Sequence, residues 1–214
     1  AALKIGTLLT VVDIVIRNLY ERTADIGFLA TDDDIRRFVR GSADEVSTGD
    51  AIVELRRMMR RLCEYRDKYT VYEEIMILDT TGKVLAHLDE SNSVSASDDP
   101  LIQQALASDN YLETFYATDL RPHLARALIY SRKIEDADNG APIGVLCLCF
   151  RFENEMEGIF NSLKSKDDKS VMLLLDKTGT VIASSDEDHV HLGRKLEMVL
   201  DETYRIVDFG GREY

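Results

Sequence analysis

The sequence predicts an α+β protein: a long N-terminal helix, a second helix, and then two regions of antiparallel sheet, the second incomplete. Three observations predict it. Residues 75–86 read Ile-Met-Ile-Leu-Asp-Thr-Thr-Gly-Lys-Val-Leu-Ala and residues 172–183 read Met-Leu-Leu-Leu-Asp-Lys-Thr-Gly-Thr-Val-Ile-Ala, a repeat at an offset of 97. Each copy is an apolar run, a turn and a second apolar run, the signature of a β-hairpin. Ahead of the first copy, apolar residues recur at helical spacing. A repeat this far apart is the size of a small domain, not a solenoid unit of about 20–50 residues.

The elements follow in order. Residues 3–30 read as a long helix, with Ile5, Leu8, Val12, Val15, Leu19 and Ile26 near one face. Thr31-Asp32-Asp33-Asp34 caps a short helix over 33–40; a calcium loop would need alternating ligands and a loop glycine. A second long helix covers 49–68, with Ile52, Leu55, Met59, Leu62 and Cys63 as its apolar stripe. Arg56, Arg57, Arg60 and Arg61 form its basic face, expected to pair with acidic groups.

Copy one supplies strands 72–79 and 83–89, joined by Asp-x-Thr-Gly; the Asp bonds its own backbone and the Gly accepts positive φ. Residues 91–99 form a polar loop. Pro100 opens a helix over 100–108 at the position where proline is tolerated. Strands 111–118, 127–134 and 143–152 follow, with a loop around Pro122. Residues 153–168 read as a linking helix. Copy two supplies strands 170–176 and 180–185, a loop and short helix over 187–200, and a strand over 203–209. Its last hairpin is missing, which leaves an edge and a core face that something else is expected to cover.

The chain has 214 residues, 45% hydrophobic and 30% charged, with a net charge of −13. The negative charge repels phosphates and argues against nucleic acid as a partner. Three cysteines, Cys63, Cys147 and Cys149, are too few for a disulfide framework. No stretch of eighteen apolar residues reads as a membrane span. The absence of an initiator Met and of a signal-peptide pattern suggests an excised piece of a longer chain.

The pattern Tyr-x-x-Ile-x-Ile-Leu-Asp-x-x-Gly-x-Val, behind long amphipathic helices, resembles the double Cache domains. These are the PAS-like sensor modules of bacterial chemoreceptors, histidine kinases and cyclic-dinucleotide enzymes. In copy one the resemblance rests on Tyr72, Ile75, Ile77, Leu78, Asp79, Gly82, Val84 and 143–146. In copy two it rests on Leu174, Leu175, Asp176, Gly179, Val181 and 191–196. It implies a helical stalk over 1–70, a membrane-distal ligand-binding domain over 71–152, a linking helix over 153–168 and a truncated membrane-proximal domain over 169–214. It also implies a ligand under the loops of the first sheet, a homodimer formed through the N-terminal helix, a membrane tether outside this chain and an extracytoplasmic (periplasmic) location.

The family's amino-acid pattern is mostly absent. Its Arg position falls on Asp99, its Trp and Tyr positions on Leu101 and Ile102, and its last-strand Asp position on Cys149; Tyr116 matches, and Asp119 lies one residue late. An amino acid needs a cation for its carboxylate and an anion for its ammonium. The stretch from Tyr116 to Arg132 gathers cationic donors instead. Tyr116, Asp119, Arg121, His123, Arg126, Tyr130 and Arg132 are the candidate ligand-binding residues, with a small organic anion as the ligand; Tyr130 and Arg132 share one face of a strand. The alternative is a ligand-free dimerisation or protein-contact module, and the plainer role for the arginines is surface ion pairing.

Ser184-Ser185-Asp186 with His189 lacks the oriented base and oxyanion hole of a catalytic triad. No nucleophile elbow, phosphate-cradling loop or His-Glu-x-x-His motif appears, so neither catalytic residues nor a cofactor are expected. His189-x-His191 in a loop reads as solvated histidines, not metal ligands.

Overall fold

The computed structural model describes residues 17, 19–43, 48–164, 170–176, 178–196, 208–209 and 212–213. It is α+β and divides into two compact units, one spanning Arg17–Phe152 and the other including Glu153–Tyr214. The part of the 3–30 helix before residue 17, and most of the 203–209 strand, lie outside the described residues.

In the first unit, helix α1 (19–30) runs into α2 (Asp33–Ala43) and α3 (Thr48–Lys68). Asp32 starts α2: its Oδ1 accepts from the backbone N–H groups of Asp34 (3.0 Å) and Ile35 (3.3 Å), donors a helix start leaves free. Arg61 of α3 reaches the same carboxylate at 2.6 Å and Arg57 lies 3.5 Å from Asp34, so two of the four arginines of the basic face pair with α2 and the residue that caps it. The apolar stripe of α3 differs from expectation. Met58 and Leu62 are buried, whereas Ile52 and Leu55 are exposed. The first half of α3 has no buried residue from 49 to 57, so periodicity named the right face but not the turns that reach the core.

Five strands follow: β1 (Tyr72–Asp79), β2 (Val84–His87), β3 (Leu112–Tyr116), β4 (Ala127–Glu135) and β5 (Pro142–Phe150). Helix α4 (Pro100–Ala107) sits between β2 and β3 in sequence. The strands form one antiparallel sheet in the order β2-β1-β5-β4-β3. Because side chains alternate, the register sorts them onto two faces. Met76, Leu78, Ile129, Val145, Cys147 and Cys149 point to α4 and pack against Leu101, Ile102 and Ala105. The opposite face meets the helices. There Tyr72 donates to Asp25 of α1 at 2.5 Å, and the side chain of Val39 in α2 lies against Gly144 of β5.

The second unit holds α5 (Phe152–Leu163), which begins at the last residue of the first, β6 (Leu173–Leu175) and β7 (Val181–Ser184). A short hairpin pairs β8 (Asp208–Phe209) with β9 (Arg212–Glu213). Val181, Val190 and Leu196 form a small core with Val171, Leu173 and Leu175.

The two repeated turns are built alike. Asp79 Oδ1 accepts from Thr81 N (2.8 Å), Thr81 Oγ1 (2.7 Å) and Lys83 N (3.0 Å). Asp176 Oδ1 accepts from Thr178 N (2.8 Å), Thr178 Oγ1 (2.7 Å) and Thr180 N (3.0 Å). Burial pushes the Asp79 carboxyl up, but these bonds outweigh it and hold it below the usual carboxylate range. Each turn's glycine has positive φ, 89° at Gly82 and 81° at Gly179. Each hairpin also slips register one step before the turn, between Ile77 and Leu78 and between Leu174 and Leu175.

The helix expected within 187–200 is not present over residues 187–196, which form turns. Two of their backbone donors reach back to the hairpin instead: Gly193 N bonds Val181 O, and Leu196 N bonds Gly179 O. Among the described residues, no helix is long and apolar enough to cross a membrane.

Candidate functional site

The α4 face of the first sheet is roofed by two loops, 88–99 and 117–126. Apolar residues dominate beneath it: Leu120 is fully buried, Val94 and Leu124 of the loops pack on the core, and so do Leu106 of α4 and Leu112 of β3. The polar residues of the loops gather in two latches that pin the roof down.

The first latch is built on Asp99, the residue that caps α4. Its Oδ1 accepts from Leu101 N at 2.8 Å and from the Tyr116 hydroxyl at 2.7 Å, and its Oδ2 accepts from Thr118 Oγ1. Burial, and then this contact with Asp99, push the Tyr116 phenol up to about 12. Beside it, Ser97 Oγ donates to Asp119 Oδ1 at 2.5 Å. These bonds tie the end of β3 and the 117–126 loop to the start of α4.

The second latch is ionic. Glu74 of β1 is fully buried, and its Oε1 accepts from the backbone N–H groups of Ile75 (3.0 Å), Leu88 (2.6 Å) and Asp89 (3.0 Å). Its Oε2 lies 3.3 Å from Arg121 Nη1, 3.4 Å from Asn92 Nδ2 and 3.5 Å from His87 Nδ1. Arg121, only 2% exposed, also donates from Nη1 to Asp89 at 2.7 Å and has Glu73 3.7 Å from Nη2. Asn92 Nδ2 donates to Leu120 O at 2.9 Å, which ties one loop to the other. Three carboxylates thus surround one guanidinium, whose Nε is buried without a hydrogen-bond partner. Burial raises the Glu73 carboxyl in spite of Arg121, His123 and Arg151 nearby. For Asp89 the upward push of burial is outweighed by hydrogen bonds from Ser91 and Arg121, so it is held low.

The seven residues singled out from the sequence do not form one cluster. Tyr116, Asp119 and Arg121 belong to the roof. His123 and Arg126 are exposed on the same loop, with Arg126 6.0 Å above the Phe115 ring. Tyr130 and Arg132 do share a face, but it is the one opposite α4. There Arg132 Nη1 would lie 3.3 Å from a Cβ added at Gly27 of α1, and Tyr130 is fully buried. The period-two rule paired them correctly and could not say which face carried the roof.

Glu74, Asn92 and Thr118 are not among the sequence candidates, and Asp99 enters there only as the position of the family's Arg. Asp99 carried a readable signal, since Asp before Pro at a helix start is a cap. Glu74 carried a weaker one, a charge directly ahead of the apolar run 75–78. Cys147 and Cys149 sit fully buried on the α4 face, where burial pushes both thiols up, so they pack as apolar groups. In the second unit, Asp186 Oδ1 accepts from the backbone N–H of His189 at 3.1 Å.

No family model and no curated protein matches this chain. Solved structures do. The sensor domain of the V. cholerae histidine kinase DctB superposes with a TM-score of 0.68 at 11% identity, covering 91% of this chain and 69% of that one. The ligand-binding domain of the Pseudomonas aeruginosa PAO1 amino acid chemoreceptor PctC, in complex with GABA, gives 0.60 at 16% identity, covering 95% and 84%. The ligand-binding domain of the Campylobacter jejuni chemoreceptor Tlp3, in complex with L-norvaline, gives 0.53 at 17% identity, covering 86% and 68%. This chain therefore has the fold of the Cache-type sensor domains of bacterial receptors.

Proposed function

We propose that this chain is the ligand-binding sensor domain of a bacterial signal-transduction receptor and that its ligand is a small organic anion held under the roof of the first sheet. The observation that carries this reading is the guanidinium of Arg126, exposed on the roof loop 117–126; Arg121 on that loop is already taken up by Glu73, Glu74 and Asp89. Guanidinium is the side chain suited to bind a carboxylate bidentately. His123, exposed on the same loop, adds positive charge at the rim when protonated. PctC and Tlp3 were solved with GABA and L-norvaline, both of which carry a carboxylate.

The wider organisation belongs to the same proposal. The repeated hairpins mark two PAS-like domains, the second completed outside 169–214. Signalling output lies in another part of the receptor, and this chain performs no catalysis itself. The module faces the periplasm, is tethered through segments outside this chain, and pairs with a second copy through the N-terminal helix. Exposed Tyr20 and Phe28 on α1 supply apolar surface for that pairing.

A thermal-shift screen of mono- and dicarboxylates and zwitterionic amino acids tests the ligand. At a concentration one hundred times Kd, a ligand that binds only the folded state adds about 2.7 kcal/mol. The expected result is a concentration-dependent rise in Tm with at least one anion, reduced in Arg126→Ala. A second reading, a ligand-free protein-contact module, is favoured by the apolar cluster that packs between the sheet, α4 and Leu120 of the roof. If no anion raises Tm, that reading replaces the first.

A further inference from the structure

The start of β1 links the roof to α1. Its register against β5 pairs Tyr72 with Phe150 and then Glu74 with Cys149, so Glu73 is an extra residue, a β-bulge. In a regular strand, residues two apart share a face. The bulge breaks that rule here. Tyr72 points to the helices and Glu74 to the roof.

Both side chains are tied firmly. The Tyr72 hydroxyl donates to Asp25 of α1 at 2.5 Å, its ring lies 5.4 Å from the Arg22 guanidinium, and it stacks with Tyr65 of α3 at 6.3 Å. Glu74 holds Arg121 and Asn92 from the two roof loops. Glu73, between them, lies 3.7 Å from Arg121 as well. Tyr72 and Glu74 are both fully buried, so neither can move without its partners. The roof and α1 are otherwise on opposite sides of the sheet.

We propose that the Tyr72–Glu74 bulge is a coupling element: movement of the roof loops off Glu74 shifts the bulge and loosens the hold of Tyr72 on Asp25 and α1. As a route for signal this rests on the sensor reading, but the coupling itself is a property of the ligand-free chain. It is a single local element that both sites bias, which is the physical warrant coupling requires. Coupling is also reciprocal.

Hydrogen exchange on the full chain, without ligand, tests it. Asp89→Asn weakens the roof side at a half-buried position, and Asn92→Ala is a second roof variant should the first fold poorly. Tyr72→Phe removes only the hydroxyl bond to Asp25. The expected result is that a roof variant raises exchange in 19–30 about fivefold or more, and that Tyr72→Phe raises exchange in 118–124 by a like factor. Asp136→Asn, which loosens an exposed pair with Arg40, leaves both segments unchanged. Exchange in 19–30 that stays at the wild-type rate in the roof variants overturns the proposal, and so does a uniform rise that includes β3 and β4. Neither result depends on whether an anion binds.

Discussion

Gly82→Ala lowers the unfolding free energy of the first unit by about 3 kcal/mol or more, from backbone strain and overpacking together. The site leaves an added methyl no room. Gly82 has φ 89°, where an L side chain is strained, and its Cβ would lie 2.2 Å from the carbonyl oxygen of Ser97. That contact is backbone, not the end of a flexible side chain, so relief means moving the loop. The loop is held at this point by the bond from Ser97 N to Gly82 O at 2.9 Å, and Ser97 in turn holds Asp119 and Asp99 N. The strain therefore spreads from the hairpin into the first latch. Gly179 of the second hairpin is the internal comparison. Its φ is 81°, but its Cβ would stand 2.9 Å from Leu196 O, so Gly179→Ala loses less, about 1–2 kcal/mol from backbone conformation. Urea denaturation of both variants, followed by exchange in each unit, measures the difference. A loss at Gly82 below about 1 kcal/mol, well inside the usual margin of 5–15, sinks the prediction.

These two turns were legible in the sequence because their chemistry is local. Asp, Thr and Gly within five positions determine who bonds whom, and the structure repeats those bonds in both copies. The strand order of the first sheet was legible only as a series of elements; the pairing of β1 with β5 joins residues far apart in sequence. The latches were not legible for the same reason. The sequence offers Arg121 as a candidate ligand-binding residue or as a surface ion-pair partner, and does not show that it is buried. Its partners Glu74 and Asp89 lie 47 and 32 positions away, and no local pattern announces them. Nor does composition reveal a bulge. An extra residue at Glu73 turns the expected face of Tyr72 around, and alternation is the very rule that it breaks. The exposed half of α3 is a third case: apolar spacing identifies a face, while the length of sheet available beneath decides how many turns are buried.

Arg121→Met is expected to destabilise the first unit by about 3–5 kcal/mol, since it leaves a buried carboxylate without its cation. Glu74 is fully buried and has three backbone N–H donors, but the positive charge beside it comes from Arg121, with His87 contributing only when protonated. The decisive measurement is Glu74→Gln in both backgrounds. In the native chain it weakens the ion pair and destabilises. In Arg121→Met it removes an uncompensated charge while an amide oxygen still accepts from Leu88 N and Asp89 N, so it stabilises. The reversal of sign separates electrostatics from lost packing, which a single substitution does not. The pH dependence has a definite direction. Glu73 already has its folded pKa raised by burial against the pull of Arg121, so loss of Arg121 raises it further above the unfolded one. Its contribution is then fully present at low pH and is lost as pH rises through the folded value, so Arg121→Met should be weaker at about pH 8 than at about pH 5. Additive effects of the two substitutions, with no change of sign and no steeper fall with pH, would mean that the second latch is held by packing and not by charge.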